Sequence, residues 1–180
     1  MSSKLSKKDI YERAKNIKLI ATDVDGVLTE GEVIFTGEEK EIKVWTVRDG
    51  LGFTILRMLG GIKVAWVTGR SSESVANRAK ELKIDYLVQG TLTKKQAIDK
   101  IIKEAGISLN ELAYIGDDIV DLSALESAGL AFCPNDAVAE VLDTAHHVVP
   151  IPGGKGVFRY VVELILKAQG RWQDALQLFR

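Results

Sequence analysis

The chain has 180 residues, 46% of them hydrophobic and 27% charged, which is ordinary globular composition with enough apolar material for a sizeable core. A formal net charge of −1 gives no overall basic field to attract nucleic acid or an anionic membrane, and no apolar run approaches the roughly 18 residues that span a bilayer. The polar stretch MSSKLSKKDIYERAK and the single cysteine, Cys133, give no reason to expect a secretory leader, a disulfide or a cysteine-rich zinc site, so the expected setting is cytoplasmic.

The first strand is expected at 18–23 and ends in Asp23-Val24-Asp25-Gly26. Residues 31–47 then read as an inserted β-hairpin around a turn at Thr36-Gly37-Glu38-Glu39, with a helix to follow at 51–59. A strand at 63–69 ends in Thr68-Gly69-Arg70 and leads to a helix at 71–82. The strand at 86–89 ends in Gln89-Gly90, before a helix at 94–105 that Lys94 opens. Ser108 and Glu111 fit a capping box before the strand at 112–117, which ends in Gly116-Asp117-Asp118. A helix at 119–127 carries Asp121, and a strand follows at 129–134. Asn135 is the expected N-cap of a helix at 136–143. The strand at 146–150 and the loop Gly153-Gly154-Lys155-Gly156 precede a last helix at 156–168.

Nearly continuous apolar strands separated by helices indicate a parallel sheet covered on both faces. The expected fold is α/β, a Rossmann-like three-layer α/β/α sheet with an inserted hairpin and no cap domain. No repeat or linker divides residues 1–180, so one domain is expected, with a tail at about 170–180.

In such sheets ligands bind beyond the carboxyl ends of the strands. Four of these ends would gather at least four carboxylates, the Thr68 hydroxyl and Lys94 at one edge. Carboxylates that close raise one another's pKa unless a cation sits among them, and a hard divalent ion, most simply Mg²⁺, suits oxygen ligands. An aspartate beside such an ion and a lysine is able to attack phosphorus, and a second aspartate two residues on can protonate the leaving oxygen and then activate water. Gly26 would let the chain turn sharply and free backbone N–H groups for phosphate oxygens.

In this order and context, DVDGVLT, VTGR, Lys94 and GDDIVD resemble the four motifs of the haloacid dehalogenase-like phosphohydrolases, and the resemblance covers nearly the whole chain. It implies that Asp23 is the nucleophile and Asp25 the general acid and base. It implies Mg²⁺ held by the Asp23 side chain, the Asp25 carbonyl and Asp117, with Asp118 and Asp121 supporting that shell, and Thr68 and Lys94 on the phosphoryl group. TVRDG (Thr46, Val47, Arg48, Asp49, Gly50), VQG before Lys94, and GGKG near the C-terminus are similar to a capless branch, the 3-deoxy-D-manno-octulosonate 8-phosphate phosphatases of lipopolysaccharide synthesis. That branch implies a small sugar-acid phosphate as substrate, touched by residues 46–50, Asp25, Lys94, Arg70 and Arg78. Arginines suit a ligand bearing both phosphate and carboxylate. Thr54 stands where many members carry an arginine, and Arg57 lies one turn further on.

Plainer readings stand beside these. Asp49 can cap the helix that follows, Arg78 can be a surface charge, GGKG can be a plain turn, and Lys95 adjoins Lys94. Cys133, His146, His147, Trp45, Trp66 and Trp172 read as structural. A signalling receiver domain also uses a phosphorylatable aspartate, but that residue ends its third strand, where this chain has Gln89-Gly90. A non-catalytic module of the same fold and a phosphatase for a nine-carbon 9-phosphate are the remaining alternatives.

Residues 30–62 have room for only a hairpin and a helix, so a monomer would leave the site open. Along 41–47, Ile42 and Val44 are expected on one face and Trp45 and Val47 on the other, and apolar faces on an inserted hairpin call for burial. The resembled phosphatases are tetramers, which implies a homotetramer whose neighbour closes the site, with the segment after Gly170 as the candidate.

Overall fold

The computed structural model describes residues 4–36 and 41–180. Eight strands and eight α-helices are present among them. The strands are β1 (Leu19–Thr22), β2 (Ile34–Phe35), β3 (Glu41–Ile42), β4 (Lys63–Val67), β5 (Tyr86–Val88), β6 (Leu112–Ile115), β7 (Leu130–Cys133) and β8 (His147–Val148). The helices are α1 (Lys7–Ala14), α2 (Val47–Leu59), α3 (Glu73–Leu82), α4 (Lys94–Ala105), α5 (Leu122–Ser127), α6 (Ala139–Thr144), α7 (Val157–Ala168) and α8 (Trp172–Gln177).

Six strands form one sheet in the order β5-β4-β1-β6-β7-β8, parallel throughout. Successive side chains on a strand face opposite sides, and the core divides accordingly. Ile20, Trp66, Ile115 and Phe132 pack beneath α1, α2, α3, α7 and α8. Leu19, Ala21, Val67, Tyr114 and Cys133 pack beneath α4, α5 and α6. The expected three-layer α/β/α architecture is therefore present. The chain moves outward from β1 through β4 to β5, then returns across α4 to β6 on the other side of β1. That reversal opens a crevice between the carboxyl ends of β1 and β6.

Several local expectations need correction. The hairpin pairs only Ile34 with Ile42 and Phe35 with Glu41, and residues 37–39 of its expected turn lie outside the described residues. Residue 47 is not on a strand: the Thr46 hydroxyl accepts from Arg48 N–H and caps α2, which starts four residues earlier than expected. Val47, 83% exposed, consequently shares no strand face with Trp45, whose ring stacks on Trp66 at 5.5 Å. Asn135 caps nothing, because α6 begins at Ala139 after Val138. The helix expected at 119–127 is a 3₁₀ turn over Ile119–Asp121 followed by α5. Helices α1 and α8 had no counterpart among the expected elements. Ser6 caps α1 through Asp9 N–H. Helix α8 buries Ala175 against its own chain, and the Arg171 guanidinium just before it donates to Leu59 and Gly60 carbonyls, at the amino edge of the sheet.

Candidate active site

The loop after β1 turns at Gly26, whose φ of +85° suits a residue without a side chain. Space is also tight, since a Cβ there would lie 1.9 Å from Asp117 Oδ2 and the carboxylate would have to shift. Gly153 seals the loop from outside: its own Cβ would lie 2.0 Å from the Gly26 carbonyl oxygen, and Gly154 N–H donates to Val27 at 2.9 Å. GGKG is thus packed on the DVDG loop and is more than a plain turn.

Asp23 is buried, and its Oδ1 accepts Val24 N–H at 2.6 Å. Lys94, wholly buried at the start of α4, places Nζ 2.6 Å from Asp23 Oδ2 and 2.7 Å from Asp121 Oδ1. Lys95 points away and pairs with Asp99 on the surface. Asp121 is saturated: Oδ1 also accepts the Tyr114 hydroxyl at 2.7 Å, while Oδ2 accepts Asp117 N–H at 3.0 Å and Asp118 N–H at 3.3 Å. Asp118 accepts Ile119 N–H at 2.6 Å and so shapes the turn that carries Asp121. Thr68 is buried at the end of β4, its hydroxyl accepting Arg70 N–H at 3.3 Å.

Asp23, Asp117 and Asp121 each offer an oxygen, all within 4.8 Å of one another. Burial chiefly, and then the Asp121 charge, pushes the Asp23 carboxyl up to about 7. Burial chiefly, then the Asp23 and Asp121 charges, pushes Asp117 up to about 8. Burial works against the Lys94 ammonium, but Asp23 and Asp121 outweigh it and hold its pKa above the ordinary value. One lysine leaves this cluster with excess negative charge. Asp117 Oδ1 is buried without a hydrogen-bond partner. Both features fit a divalent cation beside Asp23 and Asp117, with Asp121 as the brace behind them.

A second chain of charges was not anticipated. The Asp25 Oδ1 forms a short ion pair with Lys43, whose side chain is 1% exposed, and Lys43 Nζ also lies 3.0 Å from Glu41 Oε1. Glu41 in turn meets Arg70 at 3.3 Å. Charged residues on a two-strand hairpin normally read as its solvent face, so their alternation with Ile42 and Val44 misleads. Here Ile42 and Val44 face outward, Val44 being 64% exposed, while Lys43 turns into the site and Phe35, paired with Glu41, lies on the cleft side.

Arg70 and Arg78 line one cleft of about 800 Å³ with Phe35, Glu41, Trp45 and Asn77. Arg78 pairs with Glu81 at 2.8 Å at one side of this cleft. Residues 46–50 form the N-cap and first turn of α2, with Gly50 packed against the Arg78 guanidinium and Arg48 beside Gly156. Asp49 is turned elsewhere. It is buried, and its Oδ1 accepts Arg159 N–H at 2.7 Å, so it caps α7 rather than its own helix. The Thr54 hydroxyl donates to the Gly50 carbonyl at 3.1 Å.

Comparison with known proteins bears on this geometry. The haloacid dehalogenase-like hydrolase family profile matches residues 86–161. The chain is 41% identical over 162 residues to the 3-deoxy-D-manno-octulosonate 8-phosphate phosphatase of Haemophilus influenzae, covering 90% of this chain and 89% of that protein. The Escherichia coli phosphatase of the same name is 36% identical over 167 residues, covering 93% and 88%. The Moraxella catarrhalis enzyme, solved with a magnesium ion, a phosphate ion and a KDO molecule, superposes with a TM-score of 0.94 at 40% identity, over 97% of this chain and 100% of that one.

Proposed function

Because this chain belongs to the 3-deoxy-D-manno-octulosonate 8-phosphate phosphatases, among the haloacid dehalogenase-like hydrolases, we propose that it hydrolyses that sugar-acid phosphate to the free sugar acid and inorganic phosphate. One observation carries the reading: a buried lysine ties Asp23 to Asp121, opposite Asp117 with its unpartnered oxygen. Mg²⁺ is the cofactor, with Asp23, Asp117 and the Asp25 carbonyl as its holders, and when bound it supplies the positive charge that lets a phosphate approach carboxylates.

The roles assigned to the chain's own residues follow. An Asp23 oxygen attacks phosphorus, and the bond from phosphorus to the sugar oxygen breaks as Asp25 gives that oxygen its proton. Asp25 then takes a proton from the water that attacks the aspartyl-phosphate, which releases phosphate and restores Asp23. Lys94 and Thr68 hold the transferring group's oxygens. Arg70 and Arg78, with Thr46, Val47, Arg48 and Gly50 but without Asp49, give the sugar acid's charged and hydroxyl groups their partners in the adjoining cleft.

The test is a panel of phosphate esters assayed with Mg²⁺. The eight-carbon sugar-acid 8-phosphate should give the highest kcat/KM, above a nine-carbon 9-phosphate. Equal or better turnover of a simple hexose phosphate would overturn the assignment. A cytoplasmic setting belongs to the same reading, because a multiply charged ester does not cross a bilayer unaided.

A homotetramer is the assembly we propose. Ile34, Ile42 and Val44 form an exposed apolar face on a hairpin with short open edges, which supports burial against other copies. Light scattering that finds a stable, fully active monomer at micromolar concentration would count against it.

A further inference from the structure

Lys43, its side chain only 1% exposed, is a buried charge that the mechanism above leaves without a task. Its stem leaves the hairpin on the side opposite Ile42 and Val44 and ends between two carboxylates, Asp25 and Glu41. A buried ammonium is costly unless its partners are fixed, so the contact locks its members in one arrangement. On Asp25 the lock is one-sided. Oδ1 is held by Lys43, while the buried Oδ2 has no partner among the described residues. Glu41, 3.0 Å from the same ammonium, offsets its charge, so the contact orients the carboxyl more than it polarises it.

We propose that Lys43 is the positioning residue for Asp25, holding Oδ1 so that Oδ2 is presented to the sugar oxygen that leaves phosphorus. The inference rests on Asp25 being the proton donor. The step balances as before: the bond from phosphorus to the sugar oxygen breaks, a bond from phosphorus to Asp23 forms, and the proton on Asp25 Oδ2 passes to the departing oxygen. Proton transfer of this kind contributes about 10²–10⁴-fold, and a donor free to swing loses part of that. Lys43 touches neither phosphorus nor the sugar in this account.

The discriminating readout is leaving-group dependence. A sugar alkoxide needs the proton to depart, whereas p-nitrophenolate hardly does. The parameter kcat/KM reports the steps up to departure, so the quantity to follow is the ratio of kcat/KM for the sugar-acid phosphate to that for p-nitrophenyl phosphate. Asp25→Asn sets the scale by collapsing this ratio. Lys43→Met should lower it about tenfold, with Lys43→Gln as the closer isostere if the methionine variant folds poorly. Lys43→Arg should restore the ratio to within about threefold of the natural chain. In the Asp25→Asn background, Lys43→Met should lower the ratio no further, because both changes act through one carboxyl. An unchanged ratio in both Lys43→Met and Lys43→Gln, beside a collapsed one in Asp25→Asn, overturns the role of Lys43 alone. An unchanged ratio in Asp25→Asn overturns the assignment of Asp25, and this proposal with it.

Discussion

At the scale of single residues the site is dominated by the cost of burying charge. Asp23 and Asp117 take up protons near 7 and 8 instead of the ordinary 3.8, with burial as the main cause for each. Asp49, raised by burial to about 6, acts in the same direction. These three groups thus bind more protons in the folded chain than in the unfolded one between about pH 4 and 8, and their contribution to metal-free stability falls as pH rises through that window. A divalent cation binds the deprotonated pair and offsets the loss. Calorimetry should therefore find a lower Tm at pH 8 than at pH 6 without metal, and a larger gain from Mg²⁺ at pH 8; a flat profile speaks against this account. Asp23→Asn should remain folded, as read by circular dichroism, and lose at least about 10³-fold in kcat as the nucleophile goes. It should also raise the metal-free Tm at pH 8, since it deletes one of the buried charges. Wild-type turnover by the folded variant would remove Asp23 from its role.

Elements bring these residues together through contacts that span long stretches of chain. The Asp49 carboxylate on α2 satisfies the amino end of α7, and the two helices pack along one another. Asp49→Ala should cost about 1–2 kcal/mol in urea unfolding, the price of a lost helix cap with a buried N–H left unpaired. A change within error would mean that water replaces the carboxylate. Glycine explains why the start of α2 was hard to read. Gly50 lowers helix propensity, which argues for the expected start just after it, at 51, although Gly52 follows within the helix. In the fold Gly52 instead admits Phe158: a Cβ at 52 would lie 3.3 Å from that ring, so the close α2–α7 contact outweighs propensity. The loop after β1 is equally constrained. Gly26→Ala would push a methyl group into Asp117 without removing any charge, and titration calorimetry should show Mg²⁺ affinity weakened about 10–100-fold. Unaltered affinity would mean that Asp117 is free to move aside.

The whole molecule raises the question of what covers an open site. No cap domain stands over the carboxyl edge of the sheet among the described residues, and the hairpin beside it presents its apolar side to solvent. Replacing exposed Ile42 and Val44 together by glutamate should dissociate the proposed tetramer in light scattering and lower activity, without touching the cleft or the residues around Asp23. Trp45 is unsuitable for that test, because its ring is stacked on Trp66 in the core. A double variant that keeps the wild-type mass in solution would place the interface elsewhere.

The sequence by itself determined the parallel α/β architecture and the gathering of Asp23, Asp25, Thr68, Lys94 and Asp117 at one edge. The physical reason is local: strands buried on both faces are apolar throughout, and parallel strands must all end on the same side. Tertiary structure alone decided which partner each charge takes. Lys43 reaches Asp25 across 18 positions and Asp49 reaches Arg159 across 110, and no periodicity encodes such a meeting. It decided the polarity of the hairpin as well. An insert beside a charged crevice turns Lys43 inward and Ile42 and Val44 outward, the reverse of what a strand over an apolar core would do.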